Sequence, residues 1–414
     1  MNLTDVQHHF DQLADYCIQE NWRGHDPYDG LNAALWRYIP LPGKLARIAW
    51  IQLCKRSPVN FRPIAGVAKR ANPKGHGLAV RALLRRADWA TAQGEAPGQF
   101  EDHACALLTE LDGMRSTGCS GTAWGYPFDW QSRAFFVPQG SPSVVCTTFV
   151  AQAYLDAYER FGDTRYLDTA RRACDFILND LARTPDRHDP AAFCFSYTQL
   201  DQTRVHNASL LGAALLARVY HATQEPVLRE SAIGAAKFSI RHQRKDGSWP
   251  YGEAPNQQWI DSFHTGFNLI CLDEIRRFAD FPEAAKAVDQ GFHFYCRFFF
   301  LPDGKPKYYH NRLYPIDIHA AAQAFVTLAQ LKHQDTLAQE RLESCLEWTL
   351  NNMRSPNGYF YFQKTPLYTN RLSYLRWSQT WMLFGLSALL RAEQSSNSGR
   401  DNPGAQRLGL KQSS

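Results

Sequence analysis

Four carboxylates stand in aromatic or Gly/Pro-marked segments of the 414-residue chain. Breaking a glycosidic bond usually needs two carboxyl groups, one as proton donor and one as base or nucleophile. Two histidines at matching positions of successive repeats could transfer protons beside them. The candidate catalytic residues are Asp129, Glu253, Asp261, His264, Asp317 and His319.

Two of these carboxylates also have a structural interpretation. Asp261 and Asp317 each open a predicted helix, where an aspartate commonly accepts hydrogen bonds from the first backbone N–H groups. Asp129 and Glu253 lie in extended aromatic segments, Trp-Gly-Tyr-Pro-Phe-Asp-Trp and Trp-Pro-Tyr-Gly-Glu, so capping explains them less well. Catalysis and capping therefore stay open as alternatives.

Aromatic residues make up 13% of the chain and collect in the same segments. Sugars stack their apolar faces on Trp and Tyr rings, while polar side chains hold the hydroxyl groups. The predicted substrate-binding residues are Trp124, Tyr126, His206, Asn207, Trp249, Tyr251, Trp259, Tyr308, Tyr309, Arg371 and Arg376. The alternative for each single ring is that it fills the core.

Proton abstraction next to a carboxylate, the chemistry of uronate lyases and C5-epimerases, is an alternative to hydrolysis. It needs Tyr, His or Lys as acid and base, and a group that neutralises the carboxylate. The residues that suit it are Tyr308, Tyr309, His310, Arg312, Arg371, Tyr374 and Arg376. A third alternative is a non-catalytic glycan-binding or assembly protein, which would use the aromatic residues alone.

These residues must be positioned by a repeated helical framework. Apolar residues recur with helical spacing at about 145–161, 205–222, 262–278, 317–333 and 374–393. Second helices are predicted at about 165–182, 226–243, 282–299 and 337–353, and a further hairpin at 76–92 and 98–115. If helix 3–19 pairs with the last helix, six hairpins close an all-α (α/α)6 toroid, with the aromatic loops on one face.

The toroid is predicted to be a single domain over residues 1–394. Within it, prolines make the basic segment 30–75 irregular or short-helical. Residues 395–414 are rich in Ser, Asn, Gly and Gln, and we expect them to form a disordered tail.

Cofactors and metals are not indicated by the sequence. The ten cysteines never form Cys-x-x-Cys, and the candidate histidines lack partners at metal-ligand spacing. We expect no cofactor, no metal, and free thiols typical of a reducing cytoplasm. The N-terminal residues do not resemble a secretion signal, and no apolar run approaches the roughly 20 residues of a membrane span.

Charge is distributed unevenly, since the stretch between Asp29 and Asp88 contains twelve basic residues and no acidic one. Such a segment attracts either the acidic remainder of the protein or an external anion. Helical spacing gathers apolar residues among the cations, namely Leu45, Ile48, Trp50 and Ile51. We therefore expect residues 30–87 to contact the anionic inner face of a membrane, where lipid-linked sugars are assembled, and we expect no nucleic acid partner.

Two kinds of resemblance support the toroid. Gln243-Arg-Lys-Asp-Gly-Ser-Trp249 resembles the Gln-x-x-x-Gly-x-Trp repeat that ties helices together in squalene cyclases and prenyltransferases. Without an Asp-x-Asp-Asp motif, terpenoid cyclisation is a minor alternative. Four other segments resemble uncharacterised bacterial proteins of exopolysaccharide biosynthesis clusters, which look like six-hairpin glycosidases: Tyr28-Asp-Gly-Leu-Asn, Trp124-Gly-Tyr-Pro-Phe-Asp-Trp-Gln-Ser-Arg133, Asp246-Gly-Ser-Trp-Pro-Tyr-Gly and Tyr374-Leu-Arg-Trp-Ser-Gln-Thr-Trp381.

This resemblance covers about residues 25–393 and does not fix a reaction. It implies a carbohydrate-active enzyme of polysaccharide biosynthesis, and we favour a glycoside hydrolase acting on an oligo- or polysaccharide. The glycan could be anionic or lipid-linked.

Overall fold

The structure, a computed structural model, describes residues 2–38, 43–131 and 136–397. Its α-helices are α1 (Leu3–Gln19), α2 (Gly43–Arg56), α3 (Pro73–Ala92), α4 (Gly98–Asp112), α5 (Val144–Phe161), α6 (Thr164–Asp175), α7 (His206–Thr223), α8 (Pro226–Arg241), α9 (Ser262–Phe278), α10 (Ala284–Phe298), α11 (Ile318–Leu331), α12 (Ala338–Met353) and α13 (Thr380–Asn397). Short strands accompany them: β1 (Trp130–Gln131), β2 (Phe136–Val137), β3 (Arg183–Pro185), β4 (Phe193–Phe195), β5 (Ile316–Asp317), β6 (Gln363–Lys364) and β7 (Thr369–Asn370). The strands form three small antiparallel sheets, β1–β2, β3–β4 and β5–β6–β7.

The helices form two concentric rings. The inner ring consists of α3, α5, α7, α9, α11 and α13, each packed against the next, with α13 returning to α3. Their outer partners are α4, α6, α8, α10, α12 and α1, in the same order. The N-terminal helix therefore pairs with the last helix and closes the ring, so the predicted (α/α)6 toroid is confirmed.

The two ends of the toroid differ in their connections. At one end an inner helix passes to its outer partner through as few as two residues, Gly162–Asp163 after α5 and Gln224–Glu225 after α7. Gly162 has a φ of +71° there, which a glycine adopts without strain. The long connections lie at the other end, where they hold α2 and all the described strands. The aromatic segments thus share one end, as predicted.

Four inner helices begin at this loop end with a side-chain cap. Each cap accepts a hydrogen bond from a backbone N–H of the first turn, which satisfies a group that the helix cannot pair internally. The caps are Asn72, Ser143, Asp261 and Asp317. The residues next to them consequently sit at the mouth of the ring.

The predicted helix ends differ most from the observed ones where π-helical turns occur. Periodicity predicted one helix to residue 182, but α6 ends at Asp175 and a π-helical turn, Phe176–Asp180, follows. A second π-helical turn, Leu375–Gln379, precedes α13. A π turn inserts one residue into the helical repeat and so shifts the side chains that precede it around the axis.

The segment predicted to be irregular contains short 3₁₀ turns and the fourteen-residue helix α2. Helix α13 continues to Asn397, and the rest of the predicted tail lies outside the described residues. Residues 39–42 and 132–135, which include Arg133 of the quoted motif, also lie outside them. None of the described helices has the length and apolar composition that crossing a bilayer requires.

Three aromatic rings from different inner helices meet inside the ring. Phe149 of α5 lies 5.2 Å from Trp381 of α13 and 5.9 Å from Phe267 of α9, measured between centroids. The rings of Phe267 and Trp381 are 5.3 Å apart. We call these three rings the aromatic floor, because the residues at the mouth of the ring lie on it.

Candidate active site

Asp261 and His264 form a hydrogen-bonded pair at the start of α9. Asp261 Oδ1 accepts from the backbone N–H of His264 at 3.0 Å, and its Oδ2 lies 2.7 Å from His264 Nδ1. Trp259 Nε1 donates to the same Oδ2 at 2.9 Å. Because an ionised carboxylate only accepts, Nδ1 must carry the hydrogen and Nε2 the lone pair. No partner for Nε2 is found among the described residues, and the side chain is 21% exposed.

A partly exposed aromatic surface adjoins His264. The ring of Tyr251 stacks on Trp259 at 4.5 Å and lies 4.7 Å from the His264 ring. Tyr308 and Tyr309 continue the wall, since Ser262 N–H donates to Tyr308 O at 2.9 Å. Such rings can accept the apolar face of a sugar.

His319 lies beneath this surface, enclosed by aromatic rings. Its ring is 4.5 Å from Trp377, 4.3 Å from Trp381 and 4.6 Å from Phe263. Both ring nitrogens are buried and lack a hydrogen-bond partner among the described residues. Burial holds the pKa of His319 well below its usual range, so the imidazole is neutral.

Asp317 is fully buried and its hydrogen bonds are satisfied. Its Oδ1 accepts from His319 N–H at 2.9 Å and from Trp377 Nε1 at 3.0 Å, and its Oδ2 accepts from the amide of Gln363. Burial raises the pKa of this carboxyl above its usual value. Asp317 therefore caps α11 and fixes Trp377, and its catalytic role stays a prediction.

A lysine–tyrosine pair also contributes to the site. Lys55 Nζ, from α2, donates to Tyr28 Oη at 2.7 Å and lies 5.5 Å from the Trp377 ring. Burial alone would lower the pKa of Lys55, but the nearby Tyr28 and Asp317 raise it above its usual value. The ammonium leaves the Tyr28 hydroxyl hydrogen available for another acceptor.

Lys74 is a site residue that the sequence analysis missed. It lies in the first turn of α3, is 4% exposed, and places Nζ 4.4 Å from the ring of Phe149, 5.3 Å from Trp381 and 5.7 Å from Phe267. Its Nζ therefore stands on the aromatic floor. Burial, and then the charge of Arg376, hold the pKa of Lys74 well below its usual range. The Asn72-Pro73 helix start could have signalled that Lys74 belongs to the mouth of the ring.

Glu253 belongs to a different network from Asp261. It lies 2.9 Å from His206 Nε2 and 2.8 Å from His242 Nδ1, and His242 Nε2 in turn lies 2.9 Å from Asp186 Oδ2. Burial favours the neutral acid, but the hydrogen bond from His206 brings the pKa of Glu253 below its usual value. These contacts join the α7–α8 hairpin to its loop.

Asp129 stabilises a loop in the structure. Its Oδ1 accepts from the backbone N–H of Gln139 at 2.7 Å, and its own N–H donates to Asn32 Oδ1 at 3.0 Å. The structure thus groups Asp261, His264, Asp317 and His319, and gives Asp129 and Glu253 other partners. Reaction roles for all six stay predictions.

Several predicted sugar-binding residues are core residues. Trp124 is fully buried, stacks on Tyr154 and donates to Leu111 O, while Trp249 is 1% exposed and donates to Ser239 O. His206 and Asn207 are buried as well. The structure thus places these four side chains in the core, because bulky rings in long loops also fill the space between hairpins, and their role in sugar binding stays a prediction.

The two predicted arginines have different environments. Arg376 makes a bidentate ion pair with Asp26 and stands 5.1 Å from the Tyr126 ring, beside a recess of about 350 Å³. Arg371 is exposed and lies over Tyr361. Within the described part of the chain, no three His, Cys, Asp or Glu residues are grouped as a metal site would require.

No protein-family model and no curated protein matches the chain. Solved structures share its fold: a cellobiose 2-epimerase from Bacillus thermoamylovorans gives a TM-score of 0.61 at 11% identity, covering 80% of this chain and 90% of that chain. A family 76 glycoside hydrolase (mannosidase) from Bacteroides thetaiotaomicron gives 0.61 at 12% identity, covering 96% and 100%. A possible GH105 member from Salmonella enterica gives 0.55 at 13% identity, covering 77% and 83%. These similarities confirm the fold, an (α/α)6 toroid.

Proposed function

We propose that this chain is a carbohydrate-active enzyme that moves a proton at a sugar carbon, as an epimerase does. The observation that carries the proposal is the 2.7 Å contact between Asp261 Oδ2 and His264 Nδ1. It leaves the His264 Nε2 lone pair directed away from Asp261, the acidic partner of this ring among the described residues, and able to accept a proton. A histidine oriented by a carboxylate is an effective general base near neutral pH.

Tyr28 is the proposed proton donor. Its ring lies 5.5 Å from Trp377, whose ring lies 5.8 Å from Phe263, the neighbour of His264. The Lys55 ammonium at its oxygen stabilises the phenolate that remains after the proton leaves. A base and an acid separated by aromatic rings can address opposite faces of one sugar ring.

Glycoside hydrolysis, favoured by the sequence, is the second candidate. One observation favours it, namely the raised pKa of Asp317, since a general acid must be protonated. However, Asp317 is fully buried and accepts three hydrogen bonds, while Asp261 is 2% exposed. Neither carboxyl therefore reaches the cleft as freely as His264 does.

The proposed substrate is a glycan, and the stacked pair Tyr251 and Trp259 is its proposed platform. Similar solved structures include a cellobiose 2-epimerase and a mannosidase, which supports sugar chemistry in this fold. A place in polysaccharide biosynthesis is proposed from the motif resemblance, and a cytoplasmic location from the ten free cysteines.

Hydrogen exchange at carbon tests the proposal. The protein is incubated in D2O with a panel of neutral and acidic mono- and disaccharides, and proton NMR follows deuterium at each sugar carbon. We expect deuterium, and an epimer, with one sugar class, and loss of both in His264→Asn. New reducing ends without carbon-bound deuterium would favour the hydrolase, and binding without either change would favour a glycan-binding protein.

A further inference from the structure

One cation at the mouth of the ring, Lys74, forms no ion pair with a carboxylate of the described residues. Four carboxylates lie there, and each is already satisfied: Asp26 by Arg376, Asp29 by Arg62, Asp261 by His264 and Trp259, and Asp317 by Gln363 and Trp377. Lys74 Nζ lies on the aromatic floor, and Cys146 and Asp26 are nearby groups that favour its charged form. No acceptor for Nζ is found among the described residues.

A buried ammonium without an anion is unfavourable. Aromatic faces attract a cation, but they replace only part of the hydration that burial removes. Burial, and then the positive charge of Arg376, lower the pKa of Lys74, and the smaller influence of Cys146 and Asp26 does not compensate. The position therefore fits a ligand that brings a negative charge together with an apolar face.

We propose that Lys74 binds the carboxylate of a uronic acid, so that uronate-containing glycans are the substrate class of this cleft. The inference rests on the proposed function and specifies its substrate. The pyranose ring would stack on Tyr251 and Trp259, and the carboxylate would form an ion pair with Lys74 Nζ. Such a charge-assisted pair in a site poor in water is stronger than the same pair on the surface.

The same ion pair would assist the chemistry. His264 Nε2 takes the hydrogen from C5, the C5–H bond breaks and an N–H bond forms. The electron pair left on C5 is delocalised into the adjacent carboxylate, where the Lys74 cation stabilises the added charge. Return of a proton to the opposite face of C5 gives the epimer, without an oxidant or a reductant.

Matched ligands and matched variants test this assignment. The methyl glycosides of glucuronic acid and of glucose are titrated calorimetrically into the wild type, Lys74→Met and Lys69→Met. Methionine keeps the length of the side chain and suits the aromatic floor, so the variant should melt no lower than the wild type. Lys69 is an exposed lysine paired with Glu20, and it serves as the control.

We expect the wild type and Lys69→Met to bind the uronate at least about tenfold more tightly than the glucoside. Lys74→Met should lose this preference and keep its affinity for the glucoside. A preference that survives in Lys74→Met, or equal affinity for glucose 6-sulfate, would overturn the carboxylate assignment. If the protein exchanges deuterium into a neutral sugar and does not prefer uronates, the uronate assignment is refuted and the proposed proton transfer stands. If the protein prefers uronates but exchanges no deuterium, only the proposed reaction is refuted.

A second, independent observation concerns the outer side of α2. Most of the exposed large apolar side chains of the described chain lie in this helix, in the segments that flank it in the sequence, or in the 367–368 loop: Leu35, Tyr38, Leu45, Leu53, Val59, Phe61, Ile64, Leu367 and Tyr368. Leu45 is 82% exposed, Ile64 88% and Leu367 92%. Tyr368 Oη donates to Arg56 O, which brings the 367–368 loop to the end of α2. We call this surface the α2 patch.

The predicted apolar face of this helix is corrected by the structure. Ile51 is 2% exposed, and Trp50 donates to Gly30 O at 2.8 Å, so these residues pack inward. The outward stripe consists of Leu45, Ala49 and Leu53, which are four residues apart. The inward face of α2 packs against the chain segment that contains Gly30.

Internal ion pairs account for part of the basic segment. Four of its cations pair with acids elsewhere in the chain: Arg62 with Asp29, Lys69 with Glu20, Arg81 with Asp156, and Arg86 with Asp11. Lys44 and Arg56 are exposed residues at the two ends of the apolar stripe. Cations flanking an exposed apolar stripe are typical of helices that lie on anionic bilayers.

We infer that the α2 patch docks on an anionic lipid surface. Lys55, on the inner side of the same helix, contacts Tyr28 in the cleft, so docking would bring the cleft close to the headgroups. That position suits a glycan carried on a lipid.

Vesicle sedimentation tests the docking surface. Phosphatidylglycerol vesicles should carry the wild type down at low salt, whereas phosphatidylcholine vesicles or high salt should leave it in the supernatant. Leu45→Glu with Leu53→Glu should weaken binding by about tenfold or more, since charge replaces the inserted apolar area. Leu200→Glu with Val227→Glu changes exposed apolar residues elsewhere and should bind as the wild type does. Absence of binding, equal loss in the control, or a dimer that the α2 double variant abolishes would overturn the inference.

Discussion

His264 Nδ1 lies 2.7 Å from Oδ2 of Asp261, the residue that caps the helix carrying this histidine. One carboxylate therefore both begins α9 and selects the tautomer of its first-turn histidine. The capping and catalytic interpretations of Asp261, which the sequence presented as alternatives, are compatible in this geometry. The helix start fixes the distance between the two side chains, and the ring of helices directs the histidine to the cleft.

Substitution of the pair should separate turnover from stability. His264→Asn is expected to reduce proton exchange by roughly 10²–10⁴-fold, because the general base is lost. Asp261→Asn should also reduce it strongly and lose about 1–2 kcal/mol of stability, because asparagine keeps the cap but its Nδ2 cannot accept from Trp259 Nε1. Urea denaturation and deuterium incorporation measure the two quantities. A large stability loss with unchanged exchange in Asp261→Asn would show a purely structural carboxylate.

Asp317 should behave in the opposite way. Asp317→Ala removes the acceptor for the Trp377 indole and the α11 cap inside the core, and it should destabilise the protein by about 2–4 kcal/mol. Asp317→Asn keeps an acceptor and should lose about 1 kcal/mol or less. Denaturant unfolding gives these values, and sugar binding measured on the folded protein should persist in both variants. Complete loss of turnover in a fully stable Asp317→Asn would instead support its role as general acid.

The lowered pKa of Asp186 predicts that the protein loses stability over a defined acidic pH range. Hydrogen bonds from His188 N–H and the neighbouring His242 lower the pKa of Asp186 from 3.8 to about 2. A carboxyl with a depressed folded-state pKa stabilises the protein above its unfolded pKa, and this contribution disappears as the pH falls from about 4 toward 2. The contribution is about 2 kcal/mol at neutral pH. Unfolding of the wild type and Asp186→Asn should therefore differ by this amount near pH 7 and converge toward pH 2. A difference that is constant with pH would contradict the assignment.

Gly247 tests the structural role of the squalene-cyclase-like motif. Gln243 Nε2 donates to both Gly247 O and Ala287 O, which ties the loop to α10. Gly247 has a φ of +88°, and an added Cβ would lie 2.3 Å from Gln290 O. Gly247→Ala should cost about 3 kcal/mol or more, from backbone strain plus this clash. Gly94→Ala, with a φ of +75° and open space around it, is the control and should cost only about 1–2 kcal/mol.

The ring of hairpins could be read from the sequence because its signals are local. Helical spacing of apolar residues and capping residues such as Asn72 and Asp261 act within a few turns, so they predicted the helices and their pairing. The predicted helix ends were wrong mainly where a π-helical turn shifts the repeat of apolar residues, as at Phe176–Asp180. The loop end was predictable for the same reason, since every long aromatic connection precedes an inner helix.

The assignment of side chains to cleft or core was decided only by the tertiary structure. Trp124 and Trp259 stand in similar aromatic loops, yet the first stacks on Tyr154 in the core and the second lines the cleft. Glu253 follows an aromatic motif but is engaged by two histidines of the α7–α8 hairpin. The aromatic environment of Lys74 exists only because the fold brings Phe149, Phe267 and Trp381 together beneath it. A loop residue carries no periodicity that indicates its direction, and burial and electrostatic environment depend on residues distant in the chain, which only the closed ring brings together.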